Sequence, residues 1–327
     1  MTRQKPLPAH VRGGAFRVSQ TAFHQSSAGR LRAADLQRPF HGVRSSGLDL
    51  GALIDRCHAY EPLLRPGEAF SHETAAHLYG LPLPSEVPQR PGVPKSTDGP
   101  PPGTAAPSQP EPPKLHVTAP DGIERARSKG VAGHELTGPI PIRFHLGLPL
   151  VAPARLWCQL ATRLTLRDLV AVGDAIVTGA RTGRKREAAL ATVADLQDAV
   201  RWWGRRRGAR RLARALPLVR VGAESRPETH LRLLLVDAGL PEPLVNHPTV
   251  LLDGAVRHPD LAYVQWRIVI EYQGDDHRLN RRVWQEDVRR KRAFERAGWR
   301  VVEVTSDDIF VDSTSLVARL HELIATP

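Results

Sequence analysis

The sequence predicts an α/β protein assembled from more than one module, and three observations carry that reading. At 327 residues the chain exceeds one domain of about 150, while 41% hydrophobic and 24% charged residues suit a globular chain with a proper core. In the last third, apolar runs of strand length alternate with segments of helical periodicity, the order expected of a sheet flanked by helices. Residues 86–114 hold ten prolines and almost no large apolar side chain, so they read as a flexible, polyproline-biased linker. The expected segments are 1–85, the linker 86–114, a central α+β module over 115–219, and an α/β domain over 220–327.

The front segment reads as two short helices and a ribbon. Phe16-Arg17-Val18-Ser19 starts the first helix, and residues 27–36 form the second with Leu31 and Leu36 facing inward. Residues 36–44 follow as a β-ribbon. That order suits a winged-helix-like module, with Arg30 and Arg32 on the second helix as nucleic-acid contacts. A further helix runs from Ser71 as N-cap to Gly80 just past its end. In the central module, 114–118 and 140–144 have strand character, and 153–169 and 169–178 read as helices. Residues 201–214 form a basic segment headed by Trp202 and Trp203, in which Arg205, Arg206, Arg207, Arg210 and Arg211 are candidates for phosphate contact. The alternative is that the tryptophans pack and the arginines are solvated.

Charge narrows the class of partner. The chain carries 46 Lys and Arg against 34 Asp and Glu, a net +12. Residues 1–50 sum to about +6 and residues 181–220 to about +9, whereas residues 221–327 sum to about −3. Basic regions favour a polyanion, because each phosphate neutralised releases a counterion. A slightly acidic last third fits carboxylates that serve a metal. Net charge does not separate DNA from RNA. Two cysteines, Cys57 and Cys158, argue against a disulfide framework or a structural zinc site. No apolar leader or membrane span is evident, so the expected location is cytoplasmic.

Two motif-like stretches carry nothing. In His72-Glu73-Thr74-Ala75-Ala76-His77 the histidines are five apart, about 140° around a helix, and cannot share one ion as an i, i+4 pair does. Gly179 to Lys185 lacks the spacing of a phosphate loop.

The carboxylates of the last third are more informative. Ser225 as N-cap, Pro227 in the first turn, Glu228 three residues after the cap and Gly239 at the far end mark one helix. Glu228 is thus a capping-box glutamate or a catalytic one, and the two roles are compatible. Residues 255–263 and 267–274 read as strands joined by a tight connection at 264–266. On a period of two, Glu271 and Gln273 share a face with Val269, while Ile268, Ile270 and Tyr272 face the other side. A hairpin turning there brings Asp260 near Glu271, where a divalent cation could neutralise both. An ion pair with an arginine is the competing explanation for Glu271. A helix from about Arg281 and a strand at 300–305 complete the domain.

The run Glu228 … Pro259-Asp260 … Ile270-Glu271-Tyr272-Gln273-Gly274 … His277 … Trp284 … Gly298-Trp299-Arg300-Val301 resembles the PD-(D/E)XK nuclease superfamily. Within it, the likeness is to the branch of very short patch repair endonucleases and their uncharacterised bacterial relatives, over about residues 220–320. The resemblance implies a restriction-endonuclease-like mixed sheet flanked by helices and a Mg²⁺-dependent (or Mn²⁺-dependent) endonuclease that hydrolyses DNA. It implies that Asp260, Glu271 and the Tyr272 carbonyl hold the ion, that Glu228 supports the site, and that His277 is the general acid/base or water-positioning group. A surface histidine is the alternative for His277. The family's third motif position is Lys, and here it is Gln273, so His277, Arg278 or Arg290 must supply the positive charge or activity falls.

The front two-thirds more faintly resembles AbiEi-type antitoxin and regulator proteins, through residues 16–44, Phe70 to Pro82 and Gly147 to Arg155. That likeness implies DNA binding without chemistry. It frames the alternative function: a transcriptional regulator or antitoxin-like protein whose nuclease fold does not cut.

Overall fold

The structure, a computed structural model, describes residues 13–20, 29–84, 112–182, 185–252, 254–274 and 281–326. The protein is a mixed α/β chain that divides into two compact units, residues 1–79 with 84–152 and residues 80–83 with 153–327.

The first unit contains β1 (Ala15–Arg17), β2 (Val43–Ser45), α1 (Leu53–Tyr60), β3 (Ala69–Phe70), α2 (His72–Leu78), β4 (Leu115–Pro120), β5 (Val131–Leu136), β6 (Ile142–His145) and β7 (Leu148–Val151). Its five-stranded sheet has the order β5-β4-β3-β7-β6. β4 and β5 are parallel, as are β3 and β7, whereas β3 with β4 and β6 with β7 are antiparallel. This sheet corrects the expected boundaries. β3 precedes the proline-rich stretch and β4 follows it, and their shared ladder makes one unit of what the sequence suggested were two modules. Gly133 on β5 is a close-approach glycine, since a Cβ there would lie 2.2 Å from the Ala126 carbonyl oxygen. Most of the proline-rich stretch lies outside the described residues.

The winged-helix-like expectation is also corrected. Ala15–Arg17 is a strand paired antiparallel with Val43–Ser45, and Val18–Gln20 and Arg30–Arg32 are single 3₁₀ turns. Among the described residues of this stretch no helix-turn-helix forms; residues 21–28 lie outside them. The cause is local. Burial alternates along both strands, as a period of two requires, and Phe16, Leu31 and Leu36 bury together in a small cluster. A run as short as residues 29–36 does not offset the cost of nucleating a helix.

The second unit contains α3 (Pro153–Leu160), α4 (Leu166–Thr178), the short strands β8 (Arg181–Thr182) and β9 (Lys185–Arg186), α5 (Val193–Trp203), α6 (Ala209–Ala215) and α7 (Arg226–Asp237). It continues with β10 (Leu244–Val245), β11 (Thr249–Val250), β12 (Val256–Arg257), β13 (Leu261–Tyr263), β14 (Ile268–Tyr272), α8 (Arg281–Arg296), β15 (Arg300–Val304), α9 (Ser306–Phe310) and α10 (Thr314–Ala325). The helix expected over 153–169 breaks into two, because the Thr165 hydroxyl caps α4 by accepting from the Asp168 N–H. The main sheet has the order β10-β13-β14-β15, antiparallel except for the parallel pair β14/β15. On one face, Ile268, Ile270, Val302 and Val304 pack with Leu231 and Leu235 of α7 and Leu316 and Leu320 of α10. On the other, Ala262 and Val269 pack with Phe294 of α8. The sheet is thus a middle layer between helices.

A buried polar network ties α4 to α7 within this unit. Arg232 donates to Asp174 Oδ2 at 3.1 Å, to the Leu218 carbonyl at 2.8 Å and to Glu242 at 2.8 Å. Burial pushes the Asp174 carboxyl up to about 6 despite the charge of Arg232. Nearly two turns earlier on α4, burial alone would raise Asp168, but hydrogen bonds from His230, Thr165 and Arg226 outweigh it and hold that carboxyl well below the usual range. Cys57 and Cys158 are free, buried thiols, each pushed up to about 12 by desolvation. Among the described residues, no helix is long and apolar enough to cross a membrane.

Candidate active site

Glu228 lies in the first turn of α7 and is 7% exposed. Half of the expected capping box is present, since the Ser225 hydroxyl accepts from the Glu228 N–H at 3.3 Å. The other half is redirected: Glu228 Oε2 accepts from the N–H of Glu224, at 2.8 Å, one residue before the cap. The carboxylate is therefore held inside the unit. Desolvation, and then the negative charge of nearby Asp260, push the Glu228 carboxyl up to about 8.

Asp260 immediately precedes β13, and the hairpin expected at 264–266 is present as a 3₁₀ turn. The register Leu261↔Ile270 sets Asp260 across from Glu271 at the open end of the ladder. Asp260 Oδ2 accepts from the Tyr272 N–H at 2.7 Å, which orients the carboxylate across the hairpin. Glu271 points to the α8 face, where Arg290 meets its Oε1 through Nε at 3.1 Å and through a terminal nitrogen at 3.0 Å. The same guanidinium donates to the His258 carbonyl. Gln273 extends β14, its N–H donating to the Val304 carbonyl at 2.7 Å. It lines a small cleft of about 20 Å³ with Glu271, Arg290, Lys291 and Glu303, the last two forming an ion pair.

The structure thus sets Glu228 near Asp260, Asp260 across the hairpin from Glu271 with the Tyr272 N–H on its carboxylate, and Gln273 beside Glu271 on the α8 side. His277 and Arg278 lie outside the described residues, as does the side chain of Trp284. The arginine expected as the competing partner of Glu271 is Arg290, one of those considered as a substitute for the family's lysine. Sequence reasoning missed the Glu224 N–H, because side-chain-to-backbone bonds of this kind leave no periodic trace.

The donor set can be tested against the Mg²⁺ that the resemblance implies. Glu228 and Asp260 are hard oxygen donors, and the charge of one already disfavours ionisation of the other. That is the electrostatic condition a divalent cation relieves, so the pair fits. Glu271 already faces a guanidinium.

Two basic clefts accompany these carboxylates, one in each unit. In the second unit, a cleft of about 520 Å³ is lined by Arg205, Arg206, Arg207, Arg210, Arg211 and Arg214, with no carboxylate on its wall. Arg206 and Arg211 are structural as well as cationic. Arg206 donates to the Trp202 and Trp203 carbonyls and lies over the Trp202 ring at 4.3 Å, opposite Arg155 at 3.8 Å. Arg211 donates to the carbonyls of Ala161 and Leu164, beyond the end of α3. The two tryptophans therefore pack, as the alternative reading of that segment has it, while Arg205, Arg207, Arg210 and Arg214 are exposed.

In the first unit, a cavity of about 1250 Å³ is lined by Arg38, Arg44, Arg56, Lys114, Arg127 and Lys129 among others. Sequence reasoning missed it, because these residues come from four separate stretches. Burial, and then the neighbouring charge of Arg38, lower the pKa of Arg44. Of the arginines named from sequence in this unit, Arg30 is held bidentately by Asp35 at 2.7 Å, and Arg32 is exposed.

No protein-family profile matches the chain. It is similar to uncharacterised proteins of Mycobacterium tuberculosis, MT2308 of strain CDC 1551 and Rv2248 of strain H37Rv. Each is 26% identical over 206 residues, which span 63% of this chain and 72% of the relative. The crystal structure of the Rv2827c protein of M. tuberculosis aligns over 62% of this chain and 71% of its own, with 16% identity and a TM-score of 0.35. A likeness at that level carries no argument about fold or function.

Proposed function

We propose that the protein is a metal-dependent endonuclease of the PD-(D/E)XK type, resembling the very short patch repair branch, that hydrolyses phosphodiester bonds of DNA. The observation that carries the reading is the placement of Asp260 across from Glu271 at the open end of the hairpin, with the buried carboxylate of Glu228 nearby.

Asp260 and Glu228 are the residues that would hold Mg²⁺ or Mn²⁺, with Glu271 and the Tyr272 carbonyl as further ligands implied by the resemblance. When bound, the ion supplies Lewis-acid polarisation of the phosphate and a lowered pKa for the attacking water. The protein's own groups do the rest. The Tyr272 N–H keeps Asp260 oriented across the hairpin. Burial and the charge of Asp260 raise the Glu228 carboxyl, and the Glu224 N–H fixes it through Oε2, which leaves Oε1 to face the ion once the proton is released. Arg290 brings to Glu271 the positive charge that the family places on lysine, and Gln273 is left to orient water or a phosphate oxygen. The exposed arginines of the basic clefts supply affinity for the polymer.

A second reading rests on the same detail. The Arg290–Glu271 ion pair, with Gln273 in the lysine position, favours a DNA-binding regulator whose nuclease fold is retired. Cleavage of supercoiled plasmid and of mismatched duplex, with Mg²⁺ or Mn²⁺, distinguishes the two. Metal-dependent nicking by the wild type, lost in Asp260→Asn and Glu271→Gln, is expected of the endonuclease. Binding without cleavage under every condition points to the regulator. Cleavage of RNA alone would keep the chemistry and change the substrate.

A further inference from the structure

The first unit brings together three histidines that lie far apart in sequence. His72 opens α2, His116 lies on β4 and His134 on β5. In the parallel β4/β5 ladder Thr118 is level with His134, so His116 and His134 rise from the same face two positions apart. The Ser71 N–H donates to the His116 carbonyl at 3.0 Å, which anchors the start of α2 beside β4. His116 Nδ1 is 2.8 Å from His134 Nε2. The His72 ring stacks on His134 with centroids 3.8 Å apart, and its centroid is 5.7 Å from that of His116. Behind them, Glu73 Oε2 is 3.5 Å from His116 Nε2. One nitrogen from each histidine lies within 4.8 Å of the other two.

The backbone adds a second observation. His72 has a φ of 47°, a left-handed conformation that costs a non-glycine residue energy and persists only where its surroundings impose it. Ser71 is the N-cap of α2, yet its hydroxyl makes no cap bond and sits instead 3.0 Å from His72 Nδ1. The turn thus gives up a helix cap and accepts strain, and the result is a histidine placed against two others.

We propose that His72, His116 and His134 form a site for Zn²⁺ or a similar first-row dication, with Glu73 orienting His116. Imidazole nitrogens suit zinc, copper and nickel, whereas Mg²⁺ prefers carboxylate, carbonyl and water oxygens, so this site is chemically distinct from the carboxylates of the second unit. Three histidines with a fourth position left to water is a recognised zinc arrangement. Zn–N bonds of about 2.0–2.1 Å place tetrahedral nitrogens about 3.3 Å apart. The His116–His134 pair therefore opens by only about half an ångström, while the His72 ring turns its edge toward the ion. With the Ser71 hydroxyl at Nδ1, His72 would bind the ion through Nε2. With Glu73 at Nε2, His116 would bind through Nδ1, in the carboxylate–histidine arrangement common at metal centres. His77, excluded as a partner from its spacing, is exposed on α2 and takes no part.

The test uses the full chain, stripped with a chelator and then titrated with Zn²⁺. With Zn²⁺ at no more than one equivalent and Mg²⁺ in excess to occupy the carboxylates, elemental analysis should give one tightly held zinc per chain, and zinc-edge X-ray absorption should count three imidazole ligands. His134→Gln should weaken Zn²⁺ binding by more than about 100-fold, and Glu73→Gln by about 10–100-fold. His321→Gln, on the exposed face of α10, and Asp260→Asn should leave stoichiometry unchanged. Binding below one equivalent, an oxygen-only shell, or full binding by His134→Gln overturns the proposal. Loss of zinc in Asp260→Asn does so too, by moving the ion to the second unit. Should His134→Gln not fold, the ligand count on the wild type decides alone.

Discussion

Glu228 is where residue chemistry meets stability. Its folded pKa of about 8 lies above the ordinary carboxyl value of 4.5, so between those limits the native state keeps a proton that the unfolded chain has released. Protons bound are then fewer in the unfolded state, and stability falls as pH rises through that window. We expect Glu228→Gln, which retains an acceptor for the Glu224 N–H, to flatten the fall in melting temperature between about pH 5 and pH 8 relative to wild type. An unchanged slope would show that Glu228 does not hold that proton. Arg290 yields a second expectation: Arg290→Met removes the cation already on Glu271, so Mn²⁺ should bind several-fold more tightly while plasmid cleavage falls. Calorimetry decides it, and unchanged Mn²⁺ affinity would remove Glu271 from the ion's shell. At this scale much was legible. Asp260, Glu271 and Gln273 could be named as candidates because polar residues at the ends of apolar strands stand out against their neighbours, and Glu228 because it follows a helix cap by three residues. Arg290 was one of several candidates, since a sequence does not say which arginine of a helix lies over a given strand.

Elements were legible where their periodicity was strong and their length sufficient. The hairpin of β13 and β14 declared itself through Ile268, Ile270 and Tyr272 alternating with Val269, Glu271 and Gln273, and α7 through its cap and terminal glycine. The front of the chain defeated the same reasoning. The stretches 16–19 and 27–36 read as two short helices, yet burial along β1 and β2 follows a period of two and the long-range pairing of Phe16 with Arg44 decides the outcome. The module boundary was misplaced because a proline-rich stretch reads as a division, whereas the strands that flank it share a ladder. The α4–α7 junction was also hidden, because Asp174 and Arg232 look like surface charges until both are seen to be about 1% exposed. Removing one member of a buried pair leaves the other charge unpaired. Arg232→Leu should therefore cost about 3–5 kcal/mol in urea unfolding, and Arg232→Leu with Asp174→Asn distinctly less than the sum of the two single changes. Additive losses would mean that the two groups do not stabilise each other.

Across the whole molecule, charge separates into basic clefts and a carboxylate cluster, a division that net +12 alone does not show. If the clefts bind DNA through phosphates, the logarithm of the binding constant should fall linearly with the logarithm of salt concentration, with a slope of about 0.9 per phosphate neutralised. Affinity should then drop steeply between about 50 and 200 mM salt. The structure indicates which arginines to change. Arg206 and Arg211 bond to backbone carbonyls, so altering them would confuse binding with folding. Arg205, Arg207, Arg210 and Arg214 are exposed on the same cleft and pair with no carboxylate among the described residues. Replacing Arg207, Arg210 and Arg214 by Gln should reduce the salt slope by about 0.9 for each arginine that meets a phosphate, with the melting temperature unchanged. The same measurement on Arg38→Gln with Arg127→Gln reads the contribution of the first unit's cavity. A slope that falls only with the second set would assign DNA to the first unit. A slope that falls with neither, in a protein that still binds DNA, would mean that both clefts are solvated surface and that affinity arises from the carboxylate site and its bound ion.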